Sequence, residues 1–109
     1  MLPKKERISN GGRIKEILNR KELTFSSPLL HVIAKENEVN YSRLVVICTK
    51  KHGNAVVRNR IRRTFLEAYS RIRHKINKNI DLVIIPMVSR IETKMCHNEL
   101  IKAIESLEI

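Results

Sequence analysis

Residues 54–76 read Asn-Ala-Val-Val-Arg-Asn-Arg-Ile-Arg-Arg-Thr-Phe-Leu-Glu-Ala-Tyr-Ser-Arg-Ile-Arg-His-Lys-Ile. Ile61, Phe65, Ala68, Tyr69, Ile72 and Ile76 recur on a 3.6-residue period, which predicts an amphipathic helix from about Ala55 to Ile76. Asn54 stands where an N-cap belongs. The opposite face carries Asn59, Arg60, Arg63, Ser70, Arg71 and His74, with Arg62 and Arg73 at its edge. One helix thus supplies both a core stripe and a basic surface.

Working outward, both neighbours read as strands. Arg43 to Thr49 is apolar on both faces, which predicts a central strand covered on both sides. Ile80 to Met87 is similarly continuous. Pro28 to Lys35 predicts a further strand, with Leu30, Val32 and Ala34 on one face and Leu29, His31 and Ile33 on the other. The polar stretch Glu36 to Asn40 has the composition of a hairpin turn. A short strand fits Leu23 to Ser26. Ile14, Ile17 and Leu18 predict a helix from about Gly12 to Arg20, capped by Ser9 or Asn10. Residues 1–11 read as a loose basic lead-in. Leu100, Ile101, Ile104 and Leu107 predict a last helix over Thr93 to Leu107, with Glu92 or Thr93 as its cap. The order α-β-β-(β)-α-β-α, without repeat or linker, predicts a single α+β domain over residues 1–109.

The 109 residues carry 22 Lys and Arg against 11 Asp and Glu, a formal net charge of +11. The charge is concentrated: Lys50 to Lys78 hold ten basic residues and one acid, Glu67, for +9. Charge runs are commonly solvated helix faces, but those usually alternate in sign, because like charges at i,i+4 repel. A one-signed stripe implies a polyanion that relieves the repulsion. No apolar run reaches the roughly 20 residues of a bilayer span. No apolar segment follows the N-terminal charges. Two cysteines, Cys48 and Cys96, are too few for a disulfide framework. Together these predict a cytoplasmic protein with no membrane association.

Catalytic constellations are missing from the pattern. Asp81 is the single Asp, set in an apolar strand, and the glutamates are scattered. A two-metal nuclease centre needs convergent carboxylates. His31, His52, His74 and His97 share no ligand spacing. Gly11, Gly12 and Gly53 build no phosphate-cradling loop. These residues predict binding, with no catalytic or metal site of the protein's own.

Lys50 to Arg63, by contrast, has the makings of an anion trap. A helix start offers unpaired N–H groups and a positive dipole end. Gly53 permits close backbone approach. Arg58, Arg60, Arg62 and Arg63 offer planar forks matched to phosphate oxygens and base edges. Asn59 offers a donor and an acceptor for a base or a 2′-hydroxyl. The candidate RNA-binding residues are therefore Lys50, Lys51, Asn54, Arg58, Asn59, Arg60, Arg62 and Arg63.

This run resembles the Arg-Asn-Arg signature of the bacterial ribonuclease P protein subunits. The family pattern places two lysines, a small residue, Ala-Val, Arg-Asn-Arg and two further basic residues in order. Here these are Lys50, Lys51, Gly53, Ala55, Val56, Arg58, Asn59, Arg60, Arg62 and Arg63. Arg43-Leu-Val-Val before the run and Asp81-Leu-Val-Ile-Ile after it extend the likeness over most of the chain.

The resemblance implies the fold shared with a ribosomal-protein domain and an elongation-factor domain, including a left-handed βαβ crossover. That hand runs against the usual right-handed rule, so periodicity could not have indicated it. The resemblance further implies that the basic helix binds a catalytic RNA. A cleft between the first helix and the sheet would hold the 5′ leader of precursor tRNA. The RNA, with Mg²⁺ held by RNA and substrate, would hydrolyse the phosphodiester, and no protein partner is required.

Family members place stacking aromatics on the first helix and first strand. Here Ile14 and Leu18 occupy the helix positions, and Val32 or His31 the strand position. Ile14 and Leu18 read equally well as core residues, with leader contacts passing to aliphatic packing and to Arg13, Lys50 or Lys51. Two other classes share the charge and size. One is a structural RNA-binding protein of ribosomal type, and the other is a DNA-binding regulator whose basic helix enters a major groove. Rescue of a catalytic RNA at low Mg²⁺ separates the first reading from both.

Overall fold

The computed structural model describes residues 4–109. Its helices are α1 (Gly11–Arg20), α2 (Ala55–Ile72) and α3 (Thr93–Leu107), and its strands are β1 (Leu23–Ser26), β2 (Leu30–Glu36), β3 (Arg43–Val46) and β4 (Ile80–Pro86). The strands form one mixed sheet in the order β1-β2-β4-β3. β1 and β2 are antiparallel, as are β2 and β4, whereas β3 and β4 are parallel and joined through α2.

Alternation along the strands sorts side chains into two layers. Leu30, Val32, Ala34, Leu44, Val46, Leu82 and Ile84 face α2 and α3, where they meet Ile61, Phe65, Tyr69, Ile72, Cys96 and Leu100 in the main core. The other face carries Ile33 and Val83, which pack with Ile8 and Ile17 under α1. The sheet is thus sandwiched between the α2–α3 pair and the shorter α1.

Several expectations change. Glu36 to Asn40 does not close a hairpin, because β4 lies between β2 and β3. β3 is an edge strand of four residues, shorter than Arg43 to Thr49 and not central. Its two apolar faces are real: Leu44 and Val46 face the main core, and Val45 and Ile47 pack on the α1 side. Burial of both faces says nothing about lateral position, and so it misled. The outer edge of β3 is partly covered by the N-terminal segment, whose Ile8 N–H donates to the Leu44 carbonyl at 2.9 Å. That segment is accordingly not a loose lead-in. Lys4–Glu6 form a 3₁₀ turn and Ile8 is buried, while residues 1–3 of the expected lead-in lie outside the described residues.

The α-helical part of the long helix stops at Ile72, and Arg73–Lys75 continue as a 3₁₀ turn. Arg73, His74 and Lys75 are all exposed and offer no side chain to the core there. Ile76 still packs against it from extended backbone, and the Asn77 N–H donates to the Ile109 carbonyl at 2.7 Å. In α3, Cys96 and Ala103 join Leu100 and Leu107 as buried residues, while Ile101 and Ile104 are only partly covered. Glu92 occupies its cap position without a side-chain hydrogen bond. Asn10 caps α1, accepting from the Gly12 and Arg13 N–H groups.

Candidate nucleic-acid interface

The turn that launches α2 is held by its own side chains. Thr49 caps a 3₁₀ turn over Lys50–His52. The His52 ring closes it from both ends: Nδ1 accepts from the Thr49 N–H at 2.9 Å, and Nε2 lies 2.6 Å from the Pro86 carbonyl. The tautomer with its proton on Nε2 satisfies both contacts. The turn is thereby tied to the end of β4. Gly53 follows at φ 128°, ψ −165°, a region essentially reserved for glycine, and a Cβ there would stand 3.0 Å from Val57. Asn54 then caps α2, its side chain accepting from the Val57 N–H at 3.0 Å.

From this fixed start the signature side chains spread over three directions. Asn59 and Arg63 lie on the exposed crest, and Asn59 accepts from Arg62 at 3.1 Å. Arg60 turns toward the α3 side, beside Thr64 and Ile91. Arg62 turns the other way, toward the β3 edge, beside Arg7 and Leu66. Arg58 is half-buried, and its Nε is buried without a hydrogen-bond partner. Lys50 and Lys51 are exposed at the turn. Among the described residues, no ion pair uses Lys50, Lys51, Arg58, Arg60, Arg62 or Arg63. The lone acid of the run, Glu67, pairs with Arg71 one turn further on at 2.8 Å. The positive field at the start of α2 is therefore uncompensated by ion pairs among the described residues. Cys48 lies in the same field; burial pushes its thiol pKa up, against the opposing pull of Arg62 and Arg58.

The second candidate face rearranges the expected set. Arg13 is drawn into the structure: Nε donates to Asp81 at 2.8 Å, NH1 to Glu16 at 2.9 Å and NH2 to the Glu36 carbonyl at 3.0 Å. Arg43 donates twice to the same Asp81 carboxylate, and Asn37 once. Burial alone would raise the Asp81 pKa, but hydrogen bonds from Arg43, Arg13 and Asn37 outweigh it and hold the carboxyl below its ordinary value. Val32 is a correction. Its side chain is buried in the main core, on the sheet face opposite α1, because its neighbours His31 and Ile33 take the α1 side. His31 does face that side, with Nδ1 2.7 Å from the Ser26 hydroxyl. Ile14 and Leu18 pack partly buried on the α1-side cluster. Ile47 and Ile85, partly exposed on the same side, were missed, because their strands looked fully covered in sequence.

An arginine-rich helix start, fixed by its caps on an α+β scaffold and without an ion pair among the described residues, has the charge and shape of a nucleic-acid interface. The sequence matches the Ribonuclease P family over residues 2–108. The chain belongs to that family, the protein components of the ribonucleoprotein endoribonuclease ribonuclease P. Membership assigns it to tRNA 5′ processing with the RNA of ribonuclease P as its partner.

Among its relatives, the ribonuclease P protein component of Fusobacterium nucleatum is 37% identical over 79 residues, covering 72% of this chain and 69% of that protein. That of Clostridioides difficile is 39% identical over 67 residues, 61% of this chain and 59% of that protein, so the match spans less than two thirds of that relative's length. The ribonuclease P protein of Thermotoga maritima superposes with a TM-score of 0.83 at 24% identity, covering 95% of this chain and 99% of that one. The Staphylococcus aureus protein gives 0.79 at 23%, covering 93% and 94%. These two likenesses show the α+β fold.

Proposed function

We propose that the start of α2 is the surface that grips the catalytic RNA, and that the sheet face beside α1 receives the 5′ leader of precursor tRNA. The observation that carries this is the set of Lys50, Lys51, Arg58, Arg60, Arg62 and Arg63 on one capped turn and helix, with no acidic partner among the described residues. Phosphates would replace the missing counter-charges, with Asn59 and the hydroxyl and amide groups of the turn fixing register. For the leader, Leu18, Ile14 and Ile85 offer aliphatic contact and His31 a ring. Arg13 acts indirectly, by holding α1 to β4.

The chemistry would come from the RNA. Among the described residues, no three of His, Cys, Asp or Glu gather into a metal-holding group; in this reading Mg²⁺ is held by the RNA and the substrate. The protein's part is to bind and orient, and it requires no protein partner. We place it in the cytoplasm; Cys48 and Cys96 are unpaired, and no described helix is long and apolar enough to cross a membrane. Reconstitution tests the whole reading. Adding the protein to a ribonuclease P RNA at low Mg²⁺ should restore cleavage of precursor tRNA at the mature 5′ end, and the RNA-free protein should cut nothing. Failure to rescue, or cleavage by the protein alone, overturns it.

A further inference from the structure

On the α3 side of α2 lies a groove of about 480 Å³, walled by α2 and by the loop and first turn that lead into α3. Arg60 enters it from α2 and Arg90 from the loop after β4. Both are exposed, and neither forms an ion pair among the described residues. Ile91 and Met95 line its apolar part, and Met95 is 45% exposed. Ser89 and Glu92 add a hydroxyl and a carboxylate.

This mixture is not that of a bare phosphate site. Two guanidinium forks suit phosphate oxygens. A thioether and a branched aliphatic chain suit the flat face of a base. A carboxylate repels phosphate but accepts from an exocyclic amine or a 2′-hydroxyl. Taken together they fit one nucleotide whose base is unpaired and bears an amine. Arg60 makes the groove continuous with the start of α2, which points to the catalytic RNA as the source. We propose that this groove holds an unpaired, amine-bearing nucleotide of the catalytic RNA, so that the footprint crosses from α2 onto α3. The proposal rests on reading α2 as the catalytic-RNA surface.

The test measures binding of transcribed ribonuclease P RNA to the full chain over a range of salt. Arg90→Ala should weaken binding on the order of tenfold and lower the salt slope by about one. Met95→Ala should weaken it severalfold with the salt slope unchanged, and Met95→Leu should restore it. Precursor tRNA affinity of the assembled holoenzyme should not move. Circular dichroism checks that each variant is folded. If Arg63→Ala weakens binding while Arg90→Ala does not, the groove is unused and the α2 reading stands. If Arg63→Ala is also silent, both fall. An effect of Arg90→Ala without any effect of Met95→Ala means a diffuse phosphate contact and overturns the nucleotide site. So does a loss confined to precursor tRNA affinity.

Discussion

Arg13 Nε lies 2.8 Å from Asp81 Oδ2, joining α1 to the start of β4 across 68 positions of sequence. Arg43 reaches the same carboxylate from β3 at 2.7 Å. One fully buried acid therefore ties together a helix and two parallel neighbouring strands, and it fixes where α1 sits over the sheet.

Asp81→Asn should destabilise the fold by about 3 kcal/mol, since it leaves the Arg43 guanidinium without a counter-charge and Arg13 with only the half-exposed Glu16. The sign of the pH dependence follows from the lowered folded-state pKa of Asp81. Its contribution is full above the unfolded carboxyl value, about 4, and is lost as pH falls through the lower folded value. Chemical denaturation of wild type and variant from pH 6 downward should show the gap narrowing only at acid pH. A gap that is constant down to pH 2 contradicts the assignment.

Gly53→Ala should cost roughly 1–3 kcal/mol, because its backbone lies where only glycine is relaxed and the added methyl meets Val57. The same strain should displace the Lys50–His52 turn and weaken RNA binding. Thermal melting and a binding titration measure the two effects. Wild-type behaviour in both contradicts the turn geometry.

Arg63→Ala and Arg60→Ala should each weaken catalytic-RNA affinity and lower its salt slope by about one per lost phosphate contact. Stability should stay within about 0.5 kcal/mol of wild type, since both side chains are exposed and form no ion pair among the described residues. Loss of stability with intact RNA binding contradicts the helical phase described for α2.

Leader recognition should be weak without stacking aromatics. Leu18→Phe or His31→Phe should strengthen holoenzyme binding to precursor tRNA by about 1 kcal/mol, the low end of base stacking, without changing affinity for mature tRNA. Titrations with leaders of increasing length read this directly. Affinity independent of both leader length and either substitution shows that these residues serve only as core.

Local patterns carried much of the molecule. The stripe Ile61, Phe65, Ala68, Tyr69 and Ile72 announced α2, because helix periodicity is written in consecutive side chains. Asn54 and the arginines marked out the proposed RNA-binding surface for a similar reason: a cap and its helix lie within one turn of each other. The same stretch carried the family signature. The sequence also showed both faces of β3 and β4 to be apolar.

What lay beyond it was lateral order and side-chain partnership. Whether β3 pairs with β2 or with β4 depends on which edge the α2 crossover returns to, a long-range choice that alternation does not encode. The choice between Val32 and His31 for the α1 side stays open in sequence, because a strand's pattern distinguishes two faces without saying which helix covers each. Arg13 read as a free cation until the fold brought Asp81 beneath it. The groove between Arg60 and Arg90 likewise arises only when α2 packs beside α3. Sequence alone determined the helices, the strands and the sign of the surface, all set by neighbours in the chain. Tertiary structure decided which charges are spent on holding the fold and which stay unpaired among the described residues, because charges pair through space.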